Sequence, residues 1–150
     1  MLSYATDAAG IAWNLEGGNL MSKFLPYHAA SASYARQLTS GIKDNKAKYD
    51  IITKWISDHI IYDFIKAARV ANKKGVYPDP ADCWKTHIGI CQDIAALTVN
   101  MLRGAGVTAY LCIGHADRNY HAWVEARISG QVYRYDHSGR AQRYIKEKVF

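Results

Sequence analysis

The hydrophobic pattern of this chain changes period once, at Gly104-Ala105-Gly106, and that switch decides which class of fold it can adopt. Before it, apolar residues recur at helical spacing; after it, they run in short β-branched and aromatic blocks. The clearest helix lies just upstream: Ile94, Leu97, Thr98, Met101 and Leu102 recur at i, i+3, i+4, i+7 and i+8, and Cys91 falls on the same stripe. Ile52, Trp55, Ile56, His59 and Ile60 keep the same spacing, which Phe64, Ala67 and Val70 resume, so 46–71 predicts one helix broken near Tyr62, or two. Alanine-rich 27–38 predicts another, ended by Gly41. The segment 76–90, "VYPDPADCWKTHIGI", carries two prolines and reads as a loop. Beyond the switch, 107–114, 120–128 and 132–138 read as strands, with turn residues at 116–119 and at Ser129-Gly130. Helices first and an antiparallel sheet later make an α+β fold. Residues 1–26 show little periodicity, Gly17-Gly18-Asn19 marks a turn, and the segment reads as an irregular or short-stranded lead-in.

A chain of 150 residues suits one structural domain with its own core. Its organisation is read as an N-terminal extension, 1–45, packed on or leading into a core of 46–150. The formal charge of +6 comes from basic residues scattered along the chain, which describes a solvated basic surface and no nucleic-acid partner. Three cysteines, Cys83, Cys91 and Cys112, fit no common zinc spacing, and at least one thiol stays free. Either all three are reduced, or Cys83 and Cys112 pair and leave Cys91. Asp7, Asn14 and Glu16 interrupt every apolar run near the start, so no signal peptide or membrane span is expected. Localisation stays open between the cytoplasm and a trimmed domain of an exported protein, and the oligomeric state is unknown.

The stretch 89–95, "GICQDIA", places a cysteine immediately before the clearest helix, where backbone N–H groups favour a thiolate, with a glycine two residues upstream. Cysteine acyl chemistry also needs an imidazole and a group to orient it. If Ser129-Gly130 is a two-residue hairpin loop, Ile128 pairs with Gln131, and counting back pairs Trp123 with Asp136. His121, Trp123 and Glu125 then share a face with Arg134 and Asp136, and His121 lies diagonal to Asp136 within side-chain reach. If the Cys91 helix packs on that same face, sulfur, imidazole and carboxylate converge.

The order Cys, His, Asp in "GICQDIA", "LRGAGVTAYLCIG", "HAWVEA" and "YRYDHSG", preceded by "KYDIITKWISDHIIYD", resembles the transglutaminase-like superfamily, a branch of the papain-like cysteine enzymes. The resemblance covers about residues 46–140 and is similar to bacterial members. It implies a papain-like core with the nucleophile helix on an antiparallel sheet. Cys91 would be nucleophile, His121 general base and acid, and Asp136 the orienting carboxylate. It further implies no cofactor, no metal, and a peptide or protein substrate cleaved through a thioester; the alternatives are glutamine acyl transfer or deamidation with the same triad, or a non-catalytic binding module. Tyr133 stands where many members have Trp, and His137-Ser138 where Pro or Thr is frequent. Lys85 stands where papain has its oxyanion glutamine, which leaves Tyr62 or Trp84 as guesses for a second donor. Other readings are blander. Cys83 and Cys112 look structural, Trp123 a packing wall, and Glu125 a cross-strand partner of Arg134. A zinc site from Cys91, His121 and Cys112 or His115 competes only in residue type.

Overall fold

The computed structural model describes residues 4–6, 12–14, 18–19, 23–71, 73, 75–139 and 141–150. Three short strands open the chain, β1 (Tyr4–Thr6), β2 (Ala12–Asn14) and β3 (Gly18–Asn19), paired antiparallel in that order. Of the expected turn at 17–19, Gly18-Asn19 is strand and Gly17 lies outside the described residues.

Helix α1 (Ala29–Leu38) is capped by His28, whose ring accepts the Ser31 N–H, and α2 (Asn45–His59) by Asp44, which accepts from Ala47 at 3.1 Å. The expected break near Tyr62 is a short strand, β4 (Ile61–Tyr62), followed by α3 (Phe64–Val70) under an Asp63 cap. The 76–90 segment differs from expectation: Pro80–Thr86 forms α4, and Ile88–Gly89 forms β5. A proline at the first helical position lacks only an N–H that would have no helical partner, so Asp79-Pro80 starts a helix where the sequence suggested a break. β5 pairs parallel with β4, Tyr62 opposite Gly89.

Helix α5 (Cys91–Gly104) is the centre of the molecule, with Leu97, Val99, Met101 and Leu102 fully buried. It packs against α1, and the contact is made at backbone level: a Cβ at Gly104 would lie 2.3 Å from the Ala32 carbonyl oxygen. The strands that follow, β6 (Thr108–Ala116), β7 (Asn119–Ile128), β8 (Gln131–Tyr135) and β9 (Tyr144–Val149), form an antiparallel sheet in the order β8-β7-β6-β9. β9 has no counterpart among the strands expected from the sequence. Ala122, Val124 and Ala126 of β7 join Leu111 and the α5 residues in one core. The architecture is thus α+β, with the cysteine-bearing helix laid across one face of an antiparallel sheet. Among the described residues no helix is long and apolar enough to cross a membrane.

Candidate active site

The β7–β8 hairpin turns through Ser129 and Gly130 at φ 51° and 77°, as a two-residue loop requires, and pairs Ile128 with Gln131. The ladder runs back to Val124 opposite Tyr135. Asp136 follows, diagonal to His121, and the His121 Nε2–Asp136 Oδ2 distance is 2.9 Å. Both side chains are largely buried, at 13% and 6% exposure.

The helix does not pack on the face that carries Trp123 and Glu125. Small residues of opposite parity, Ala122 and Ala126, let α5 approach the other side, where the shared core lies. His121 nevertheless interacts with the Cys91 side chain. Asp136 and Ser138 both address Nε2, at 2.9 and 3.3 Å, so Nδ1 is the nitrogen left for sulfur. Trp123 is buried at 1% exposure, between the His121 ring at 6.4 Å and the Tyr144 ring at 5.0 Å. Glu125 stands opposite Arg134 in register, yet its carboxylate binds Lys146 Nζ at 2.8 Å while Arg134 lies 3.8 Å above the Tyr144 ring. The unforeseen β9 supplies both partners.

Asp136 is held by four donor contacts. Its Oδ2 accepts from His121 and, at 2.7 Å, from the Tyr144 hydroxyl; its Oδ1 accepts the Ser138 N–H at 3.1 Å and hydroxyl at 2.8 Å. Burial alone would push the carboxyl up, but these hydrogen bonds, led by His121, hold it down at about 2. For His121 burial works against the charged ring, and the hydrogen bonds to Asp136 and to Cys91 outweigh it, raising the imidazole to about 10. Tyr144 is pushed up to about 12 by burial and by donating to Asp136. Tyr144 and Ser138 escaped the sequence reading; a tyrosine in an unrecognised strand carries no motif, and Ser138 was visible only as a departure at its position.

The start of α5 is organised by Asp93, 1% exposed. Its carboxylate accepts the Ile90 N–H at 3.1 Å, the Asp79 N–H at 2.8 Å and Lys66 Nζ at 2.7 Å. Gly89 is what allows this: a Cβ there would lie 2.9 Å from Asp93 Cβ and 3.0 Å from Cys83 Sγ. All three cysteines are free thiols, so Cys83 and Cys112 do not pair. Both are buried, and burial pushes each up to about 12, whereas Cys91 is partly exposed. Among the described residues no group of three His, Cys, Asp or Glu side chains gathers to hold a metal, and the zinc arrangement of Cys91, His121 and Cys112 or His115 does not form.

A family model described as the transglutaminase-like superfamily matches residues 32–137. The chain belongs to the transglutaminase-like superfamily. Among solved structures, a candidate cysteine protease from Cytophaga hutchinsonii superimposes with a TM-score of 0.62 at 21% identity, over 80% of this chain and 40% of that one. A candidate protease from Parabacteroides distasonis gives 0.59 at 21% identity, over 77% and 24%. A TGase gives 0.58 at 15% identity, over 79% and 34%. At these identities the likeness fixes the fold. UPF0252 protein MJ1282 of Methanocaldococcus jannaschii and UPF0252 protein PH0672 of Pyrococcus horikoshii are each 33% identical, over 72 and 85 residues. The matched segments are 46% and 55% of this chain but only 20% and 26% of those relatives, so this transglutaminase-like chain covers about a quarter of their length or less.

Of the two residues guessed as a second donor near the thiol, Trp84 is packed against Tyr34, Trp55 and His28. Tyr62 lines a small cavity with Cys91, Ile94, Trp123 and Asp136.

Proposed function

We propose that this transglutaminase-like domain is a cysteine hydrolase that cleaves a peptide or amide bond through a thioester, with Cys91 as nucleophile, His121 as acid and base, and Asp136 as the group that orients His121. The observation that carries the reading is the position of His121, tied to Asp136 at 2.9 Å through Nε2 and interacting with Cys91.

Held charged beside the sulfur, the imidazolium stabilises a thiolate. The thiolate adds to the substrate carbonyl, forming the C–S bond and a tetrahedral oxyanion that the Cys91 backbone N–H can receive. Collapse expels the amine, which takes its proton from His121 Nδ1 and leaves a thioester on Cys91. The now neutral imidazole removes a proton from an incoming water, which attacks the thioester, releasing the acid and restoring thiolate and imidazolium. Asp136 keeps one tautomer and one ring orientation throughout. The residues present require no cofactor or metal for these steps, and the partner is a peptide or protein.

Iodoacetamide labelling of the folded chain, with each thiol followed by peptide mapping, tests the site. Cys91 should react well before buried Cys83 and Cys112, and His121→Ala should remove that advantage while Cys91→Ala abolishes the fast phase. Equal slow labelling of all three thiols defeats the reading. Incubation with a peptide library, with and without a primary amine, then reports the acceptor: new termini mean hydrolysis, amine-adducted glutamines mean transfer, and glutamate in place of glutamine means deamidation.

A further inference from the structure

We propose that the Tyr62 hydroxyl is the second oxyanion donor, acting beside the Cys91 backbone N–H on the oxygen of the tetrahedral adduct; the assignment rests on the acyl-transfer reading above.

Cys91 is the first residue of α5, and the first N–H groups of a helix have no partner within it. That amide therefore has no partner inside the helix, and the Tyr62 hydroxyl lies against it and accepts from it. Tyr62 and Cys91 also line the same cavity, the one that reaches Asp136. A carbonyl oxygen entering there would meet two donors. In the resting site the phenolic oxygen satisfies the amide; when the substrate oxygen takes its place, the O–H turns toward the same atom and both groups donate.

The position of Tyr62 is fixed by strand pairing. β4 and β5 are joined by Ile61 N–H to His87 O at 2.9 Å and Asp63 N–H to Gly89 O at 2.8 Å, bracketing Tyr62 opposite Gly89, two residues before the nucleophile. The Phe64 ring, 4.9 Å away, backs the phenol. Donors held this firmly need little reorganisation as charge develops, which is the source of their catalytic effect. Burial, with the charge at Cys91 behind it, pushes the Tyr62 phenol up, so it retains the proton it must donate.

One competitor exists. The Gln92 side-chain amide nitrogen is buried with no hydrogen-bond partner among the described residues, but Gln92 does not line the cavity. Two small reagents separate the roles. Iodoacetamide alkylates the thiolate by displacement at a saturated carbon and forms no oxyanion, whereas p-nitrophenyl acetate acetylates it through a tetrahedral one and releases nitrophenolate. In Tyr62→Phe, acetylation of Cys91 should slow about 10²-fold while alkylation stays within about twofold of wild type. Gln92→Met should change neither. Parallel losses in both reactions would show that Tyr62 merely shapes the site, and unchanged acetylation, or a selective acetylation loss in Gln92→Met, would move the role elsewhere. Wild type that alkylates slowly at Cys91 would overturn the acyl-transfer reading itself, and this assignment with it.

Discussion

Tyr144 and His121 meet on a single atom: both donate to Asp136 Oδ2, at 2.7 and 2.9 Å. The two come from different strands, β9 and β7, and the carboxylate between them is fixed on its other oxygen by Ser138. A carboxylate with four donor contacts has one rotamer that satisfies all of them. The imidazole it holds is therefore fixed in plane and in tautomer.

Replacing that acid tests the coupling directly. In Asp136→Asn the amide can no longer favour the imidazolium, and the His121 ring should titrate well below the value of about 10 that it has beside the carboxylate. Ring-proton NMR should show a wild-type His121 that does not titrate through neutral pH and a variant that moves toward the ordinary 6.5. Turnover should fall by about 10³-fold, within the range for a mispositioned general acid–base group. A variant ring with unchanged titration would mean that Asp136 does not govern it.

The same pair sets a dependence of stability on pH. His121 is raised from 6.5 to about 10 on folding, so its contribution is complete below 6.5 and disappears as pH rises through about 10. Asp136 is lowered from 3.8 to about 2, so its contribution is complete above 3.8 and disappears as pH falls through about 2. The advantage of wild type over Asp136→Asn in urea unfolding should be greatest between 3.8 and 6.5 and shrink toward both extremes. A difference that stays constant from about pH 2 to about pH 10 would contradict the linkage.

Tyr144→Phe removes one donor from Asp136 and keeps the ring that Arg134 and Trp123 touch. A hydrogen bond to a charged acceptor at a partly buried position is worth about 1.5 kcal/mol net, and the urea midpoint should fall accordingly. The acid limb of the stability profile should move to higher pH, because the carboxylate has lost one of the groups that hold it near 2. Activity should drop only a few-fold, since the His121 contact survives.

Local patterns made much of this legible. The hairpin register that sets His121 diagonal to Asp136 could be counted from two turn residues, because a strand's side chains alternate and a two-residue loop permits one pairing. The stripe of α5 could be read because its apolar residues are strictly periodic. What escaped depended on partners distant in sequence. Two prolines concealed α4, one of them serving as its first residue, and β5 is too short to show a period and exists by pairing with β4. β9 alternates too few apolar residues to announce itself, and with it went Tyr144 and the true partner of Glu125. The face that α5 covers could not be chosen from parity, since Trp123 and Ala122 are both buried and only packing against α5 distinguishes them.

Asp93 touches neither His121 nor Asp136, yet it governs where Cys91 stands. Its carboxylate is 1% exposed and receives three donors: the N–H of Ile90, which immediately precedes Cys91, the N–H of Asp79 at the α4 cap, and Lys66 from α3. Asp93→Asn keeps the shape but turns an amide NH₂ toward one of these donors and leaves Lys66, itself only 20% exposed, without its counter-charge. Breaking such a pair on one side costs about 3 kcal/mol, more than the Tyr144 change, because the remaining charge stays partly buried. Stability should therefore fall further than in Tyr144→Phe. Cys91 alkylation should slow as well, since the turn leading into α5 has lost its acceptor. Lys66→Met in the same background should recover part of the stability by removing the stranded ammonium, but not the reactivity, which depends on the Ile90 contact. Recovery of both together, measured by urea unfolding and by the iodoacetamide rate, would show that the ion pair and not the backbone contact positions the thiol.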